Sequence, residues 1–153
     1  MRRLADHLGI QAPSLYKHFL DKGAIERAVY VDYLIALRDT LKAARLTDDG
    51  RHPIERVAHA YRDHATTNRE IYLYVHELPY PRAEAADVLT DNRRQWFLAA
   101  GDPDLAIAVY AFMRGMVELE LHGLYPIHST PPAALEHGLA ALIARAESLA
   151  RVR

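Results

Sequence analysis

Gln11, Ala12, Ser14, Lys17 and His18 fall on the outward side of a short helical run, Pro13–Phe19, with Tyr16 alongside them. A preceding run, Arg2–Leu8, is stopped by Gly9, whose freedom at positive φ lets the chain turn within three or four residues. Leu4, Leu8, Ile10, Leu15 and Phe19 take the inward sides of both runs, and Ala5 is small where the two must cross. Pro13 is preorganised for a first helical turn. Two short helices broken this tightly, the second crowded with amide, hydroxyl, ammonium and imidazole groups, read as a helix-turn-helix. In that arrangement the N-terminal residues of the second helix face base edges in a major groove. The competing reading of Gln11 and Lys17 is a solvated face, of Arg2 a frayed terminal charge, and of Tyr16 a partly buried ring.

Other residues invite catalytic or metal readings. His64 with Glu77 or Glu118 would make an acid/base pair, although nothing in the spacing requires it. Arg114, Glu118 and His122 follow one another at i, i+4 and i+8. They either anchor the polar end of a ligand or pair with one another or with a second copy. Nine histidines raise a metal site, yet no two stand at the i, i+4 spacing of a two-histidine zinc helix. There is no Gly-x-Ser-x-Gly elbow, no phosphate-cradling glycine loop and no cysteine. We therefore expect neither an enzyme nor a cofactor.

The elements that must carry these groups are all helical. Asp21 caps a long helix from about Lys22 to Ala44, before the turn Asp48-Asp49-Gly50. Pro53 opens a helix to about Thr67, and Arg69–Glu77 is closed by Pro79 and Pro81. A run from Ala83 to Ala100 ends at Gly101. Asp102-Pro103 starts a helix to about Leu124, and Thr130-Pro131-Pro132 caps a last one to about Arg151. The helix after Asp102 is apolar almost all round, so it needs cover on more than one side. The last carries Leu135, Leu139, Leu142, Ala146 and Leu149 as a narrow seam. Small residues, Ala108, Ala111, Gly115, Gly123, Gly138 and Ala141, permit close approach, which favours a homodimer through the last two long helices over a monomeric bundle.

The 153 residues are half apolar and one quarter charged, a globular composition. Net charge is −1, but residues 1–27 hold five Lys/Arg against three acids, leaving −3 on the remainder. Without cysteine there is neither a disulfide framework nor a thiolate metal site. No secretory signal and no membrane-length apolar run is evident, so the expectation is a soluble, cytoplasmic protein without a membrane partner.

The stretch LADHLGIQAPSLYKHFLDKGAI resembles the helix-turn-helix and following helix start of the tetracycline-repressor-like (TetR/AcrR) regulators. The pattern is Leu-Ala, Leu-Gly-Ile, Pro-Ser-Leu-Tyr-Lys-His-Phe, then Lys22. Arg114-Gly115 with Leu119-Glu120-Leu121 is similar to a helix in one group of them, where His-Gly is more usual. The resemblance implies that Arg2 makes a bidentate contact to guanine, Gln11 reads a base edge, and Ala12 and Pro13 touch thymine methyls. It gives Ser14, Tyr16, His18 and Lys22 to phosphates and Lys17 to either role. It also implies a further helix before the motif. Because numbering starts at Met1, either the natural chain begins upstream or the reading head lacks part of its cover.

The expectation is thus an all-α fold. Residues 1–44 form a truncated three-helix DNA-binding region with its connecting helix, and 45–153 a helical ligand-binding and dimerisation domain. The implied function is a ligand-responsive repressor of operator DNA, released by a small, mostly apolar effector. Tyr61 and His64 on one stripe, with Tyr72, Trp96, Phe112, Met113 and Met116, would line its pocket, although such stripes also serve as plain core. The alternative is a helical dimeric small-molecule-binding or interaction protein without DNA-binding competence.

Overall fold

The computed structural model describes residue 9 and residues 11–78, 83–125 and 131–152, without the side chains of Ala12, Leu15 and Pro131. The helix expected over 2–8, and with it Arg2, lies outside the described residues. So do Pro79, Pro81 and Thr130. The described chain is helical throughout its regular elements: α1 (Ala12–Tyr16), α2 (Lys22–Leu46), α3 (Pro53–Thr67), α4 (Arg69–Glu77), α5 (Ala86–Ala100), α6 (Pro103–Leu121) and α7 (Pro131–Ala150).

Local chemistry sets the boundaries. Gly9 holds φ at 66° ahead of α1. Asp21 caps α2, accepting from the Ala24 N–H at 2.7 Å, and Asp102 does the same for α6 through Leu105 at 3.0 Å. Pro53 and Pro103 each open their helix, where a missing N–H costs nothing. At the far end of α2 the Arg56 guanidinium donates to the carbonyls of Ala44 and Arg45, both at 3.1 Å. Ala44 C=O otherwise accepts only a long bond from the Thr47 N–H at the cap, 3.3 Å, so an arginine from α3 takes the place of water at this end.

α5 begins at Ala86 rather than Ala83 and α2 runs on to Leu46, while two helices end three residues short of the sequence expectation. The helix expected to reach Leu124 stops at Leu121 because Gly123 adopts φ 66°. Leu124 N–H then reaches Leu119 C=O at 2.8 Å and Gly123 N–H reaches Glu120 C=O at 3.1 Å, the paired bonds of a Schellman stop. The short helix expected to Phe19 ends at Tyr16, since the chain must extend before Asp21 can cap α2.

α2, α3, α5 and α6 form the body. Tyr30, Tyr33, Leu34, Leu37 and Leu41 make one buried stripe along α2, spaced i, i+3, i+4, i+7, i+11 as an amphipathic helix requires. Ile54, Val57, Ala58, Tyr61 and Ala65 are its counterpart on α3. Each large side chain so buried contributes roughly 1.5–3 kcal/mol. α3 is tied to α6 by a fork in which Arg62 Nε and Nη2 donate to Glu120 at 2.7 and 2.6 Å. Between α5 and α6 the chain turns through 108° at Gly101-Asp102, with Gly101 at φ 71°. α7 lays Leu135, Leu139 and Ala146 into the body. There the Phe112 ring sits directly on Gly138, leaving no room for a Cβ. Gly138, expected to ease the approach of a second copy, is used inside the chain. No single described helix is long and apolar enough to cross a membrane.

Candidate functional site

A cavity of about 570 Å³ opens among α2, α4, α5 and α6. That is ample for a drug-sized molecule. α2 supplies Tyr30, Tyr33, Leu34 and Leu37, the stripe that elsewhere on the helix is plain core. α4 supplies Val75 and His76, α5 Leu89, Asn92, Arg93 and Trp96, and α6 Ala106, Ile107, Tyr110 and Arg114. The 108° elbow is what lets α5 and α6 present two walls of one space.

One end is aromatic. Tyr61 meets Trp96 edge-on at 5.5 Å between ring centroids and Tyr110 at 6.2 Å, while Trp96 and Tyr110 stand 5.8 Å apart. Rings in such edge-to-face and tilted contact pack on one another and make one continuous aromatic wall. Behind Tyr61, Tyr72 closes the set: the two hydroxyls are 3.4 Å apart, and the Tyr72 hydroxyl donates to Glu118 at 3.4 Å. Burial pushes the Tyr33 and Tyr61 phenols well up and Tyr72 up to about 12, so all three keep their protons.

The polar groups are few. His76 Nδ1 lies 2.7 Å from the Tyr72 carbonyl. A carbonyl can only accept, so Nδ1 carries the hydrogen and Nε2 is the acceptor. Burial holds His76 below the ordinary imidazole value, which keeps it neutral. Asn92, buried on α5, donates through Nδ2 to Leu34 C=O on α2 and to Val88 C=O on its own helix, both at 3.0 Å. Arg93 and Arg114 bring positive charge to the wall, and among the described residues no acidic side chain lines it.

Of the residues expected to form the pocket, Tyr61 and Trp96 lie on this wall. Tyr72 stands one contact behind, and His64 packs on Tyr33 with ring centroids 5.1 Å apart and its Nδ1 3.4 Å from the Thr40 hydroxyl. The structure does not bring the other three to the cavity. Phe112 sits on Gly138, Met113 is fully buried in the core, and Met116 meets the Tyr125 hydroxyl at 3.5 Å. The trio Arg114, Glu118 and His122 divides: Arg114 faces the cavity, while His122 Nε2 lies 3.4 Å from Glu118. Tyr33, His76, Asn92 and Tyr110 went unnoticed in the sequence. The one available signal was Asn92, a polar residue in step with Val88, Trp96 and Ala99. Among the described residues no group of three or more histidines and carboxylates converges as metal ligands would.

The second locus is α1. Gln11, Pro13, Tyr16, Lys17 and His18 are exposed and Ser14 half-buried. Ser14 N–H bonds to Gln11 C=O at 2.8 Å, which starts the helix. Lys22, at the N-terminus of α2, pairs with Glu26 at 2.9 Å, and Glu26 also accepts from the Tyr74 hydroxyl at 2.7 Å. The side chain of Ala12 lies outside the described residues.

No family model and no curated protein matches the sequence. Among solved structures the chain is similar to one described as "Crystal structure of putative regulatory protein SCO4313", at 19% sequence identity and a TM-score of 0.75. The likeness covers 94% of this chain and 84% of that one. At that identity the likeness establishes a shared all-helical architecture.

Proposed function

We propose that the chain is a ligand-responsive, DNA-binding transcriptional regulator of the tetracycline-repressor-like kind, released from its operator by a small, mostly apolar molecule. The observation that carries this reading is the cavity. A largely apolar, aromatic-walled space of about 570 Å³ is built on α2, the helix whose N-terminal end follows the exposed polar face of α1. The described fold it shares with a protein named as regulatory agrees with it.

Gln11 and Lys17 then face the duplex, Gln11 toward a base edge and Lys17 toward phosphate or base. Two such heads must meet successive major grooves roughly 34 Å apart, so a dimer is needed. Its support is a stripe of exposed small or apolar residues on α6, Ala108, Ala111, Gly115 and Leu119. Beside it on α7 run Ala133, His137, Ala140 and Ala144, all exposed. A molecule that binds better when the heads are wrongly spaced drains the DNA-competent population, and DNA weakens its binding in return.

The test is an electrophoretic shift with the DNA flanking the chain's own reading frame, using the natural product of that frame. Specific retardation is expected, lost in Gln11→Ala with Lys17→Ala, and relieved by an apolar compound that binds wild type. Retardation indifferent to both substitutions would remove α1 as the reading element. A protein that binds apolar compounds but no flanking DNA would favour the alternative of a helical small-molecule-binding protein.

A further inference from the structure

Three side-chain atoms among the described residues are buried with no hydrogen-bond partner: Tyr33 Oη, Asn92 Oδ1 and His64 Nε2. The first two belong to residues on the cavity wall, and each residue is more than nine-tenths buried, at 6% and 7% exposure. Chance misorientation of the amide is excluded by its partners. Both carbonyls that Asn92 touches can only accept, so they must face Nδ2, and Oδ1 is left as an unused acceptor. Tyr33 keeps its proton and can donate or accept. His76 adds a second acceptor, Nε2, because its Nδ1 hydrogen is spent on Tyr72. A buried polar atom without a partner bears its full desolvation cost, which a ligand group of the right kind removes.

We propose that the cavity takes a neutral hydroxylated molecule: an apolar body lying against the wall of Tyr61, Trp96 and Tyr110, carrying a hydroxyl that donates to Asn92 Oδ1. The same oxygen, or a second hydroxyl, accepts from Tyr33. This rests on the sensor reading and specifies its effector. The other common polar groups fit the wall badly. A carboxylate meets Arg93 and Arg114 on the wall, but it has no hydrogen for Asn92 Oδ1 and sets its charge against that oxygen. An ether or ketone also lacks the donor. An ammonium group has donors, but among the described residues the wall offers it two arginines and no acid. A hydroxyl brings both donor and acceptor without charge.

The experiment is calorimetric titration of the full chain with 4-hydroxybiphenyl, 4-methylbiphenyl and biphenyl-4-carboxylate, which share one body and differ at one end. The hydroxyl compound is expected to bind about ten- to hundredfold more tightly than the methyl compound, and more tightly than the carboxylate. Tyr33→Phe and Asn92→Leu should each erase most of that advantage while the methyl compound still binds. Asn92→Leu also removes a tie between α2 and α5. Should it fail to fold, Tyr33→Phe, which loses a single oxygen, decides alone. Equal binding of the hydroxyl and methyl compounds, or an advantage that survives in both variants, overturns the assignment and leaves the sensor reading standing. If none of the three binds up to its solubility, the sensor reading falls and this inference falls with it.

Discussion

The Tyr74 hydroxyl donates to Glu26 at 2.7 Å, joining the outer side of α4 to the first turns of α2. Two residues further on, His76 faces the cavity, so the nine residues of α4 touch the cavity wall and the first turns of α2 at once. Glu26 is held in turn by Lys22. If ligand binding is felt at the DNA, this bond is a place where it must register. Tyr74→Phe should leave affinity for an effector nearly unchanged. It should shrink the ratio of operator affinities measured without and with effector by about three- to tenfold. An unchanged ratio would show that α4 is not the connection.

Arg56 is a stability determinant with no part in either locus. Its guanidinium closes the C-terminal end of α2 through Ala44 and Arg45 and is largely buried while doing so. Arg56→Ala should lower the unfolding free energy by about 1.5–3 kcal/mol, read from urea denaturation, because two carbonyls lose a charged donor. Arg56→Lys should recover part of that loss, since an ammonium reaches one carbonyl but has no fork.

Gly138→Ala gives a prediction whose sign depends on a neighbour. In an open helix the change stabilises by about 1 kcal/mol. Here the new Cβ falls on the Phe112 ring, so a net destabilisation of about 1–3 kcal/mol is expected. In a Phe112→Leu background the same substitution should become neutral or stabilising, and a double-mutant cycle by thermal unfolding reads the coupling.

Acid should weaken the fold through histidine. Burial holds His64 and His76 below the ordinary value of 6.5. The unfolded chain therefore binds protons that the folded chain refuses, and stability rises with pH over that interval. The contribution is complete above about 6.5 and declines as pH falls from there toward the folded-state values. His76→Gln should flatten the decline between pH 7 and 5 in a denaturation series. A slope identical to wild type would place the effect elsewhere.

Much of the fold could be read from punctuation. Pro53, Asn68-Arg69 and Gly101-Asp102-Pro103 act through local backbone chemistry, and the helices begin or end at those residues. Gly123 was visible but not its consequence, because a Schellman stop depends on φ at one residue and on carbonyls three and four positions back. The cavity was less legible for a physical reason. A stripe such as Tyr30, Tyr33, Leu34 and Leu37 shows which side of a helix is turned inward, not whether the space opposite is filled. α6 is apolar on nearly every side, so sequence alone could not tell the wall residues Ala106 and Tyr110 from Phe112, Met113 and Met116, which pack elsewhere. Asn92 needed its two carbonyl partners, and one of those, Leu34, is 58 positions away in the chain.

The elbow at Gly101-Asp102 has an evolutionary corollary. Backbone geometry there sets the angle between two walls, while Leu89 and Ile107 line the same space without being sealed in the core. On the sensor reading, descendants of this chain can acquire new chemical tastes by single substitutions at those two places, with the buried scaffold left intact.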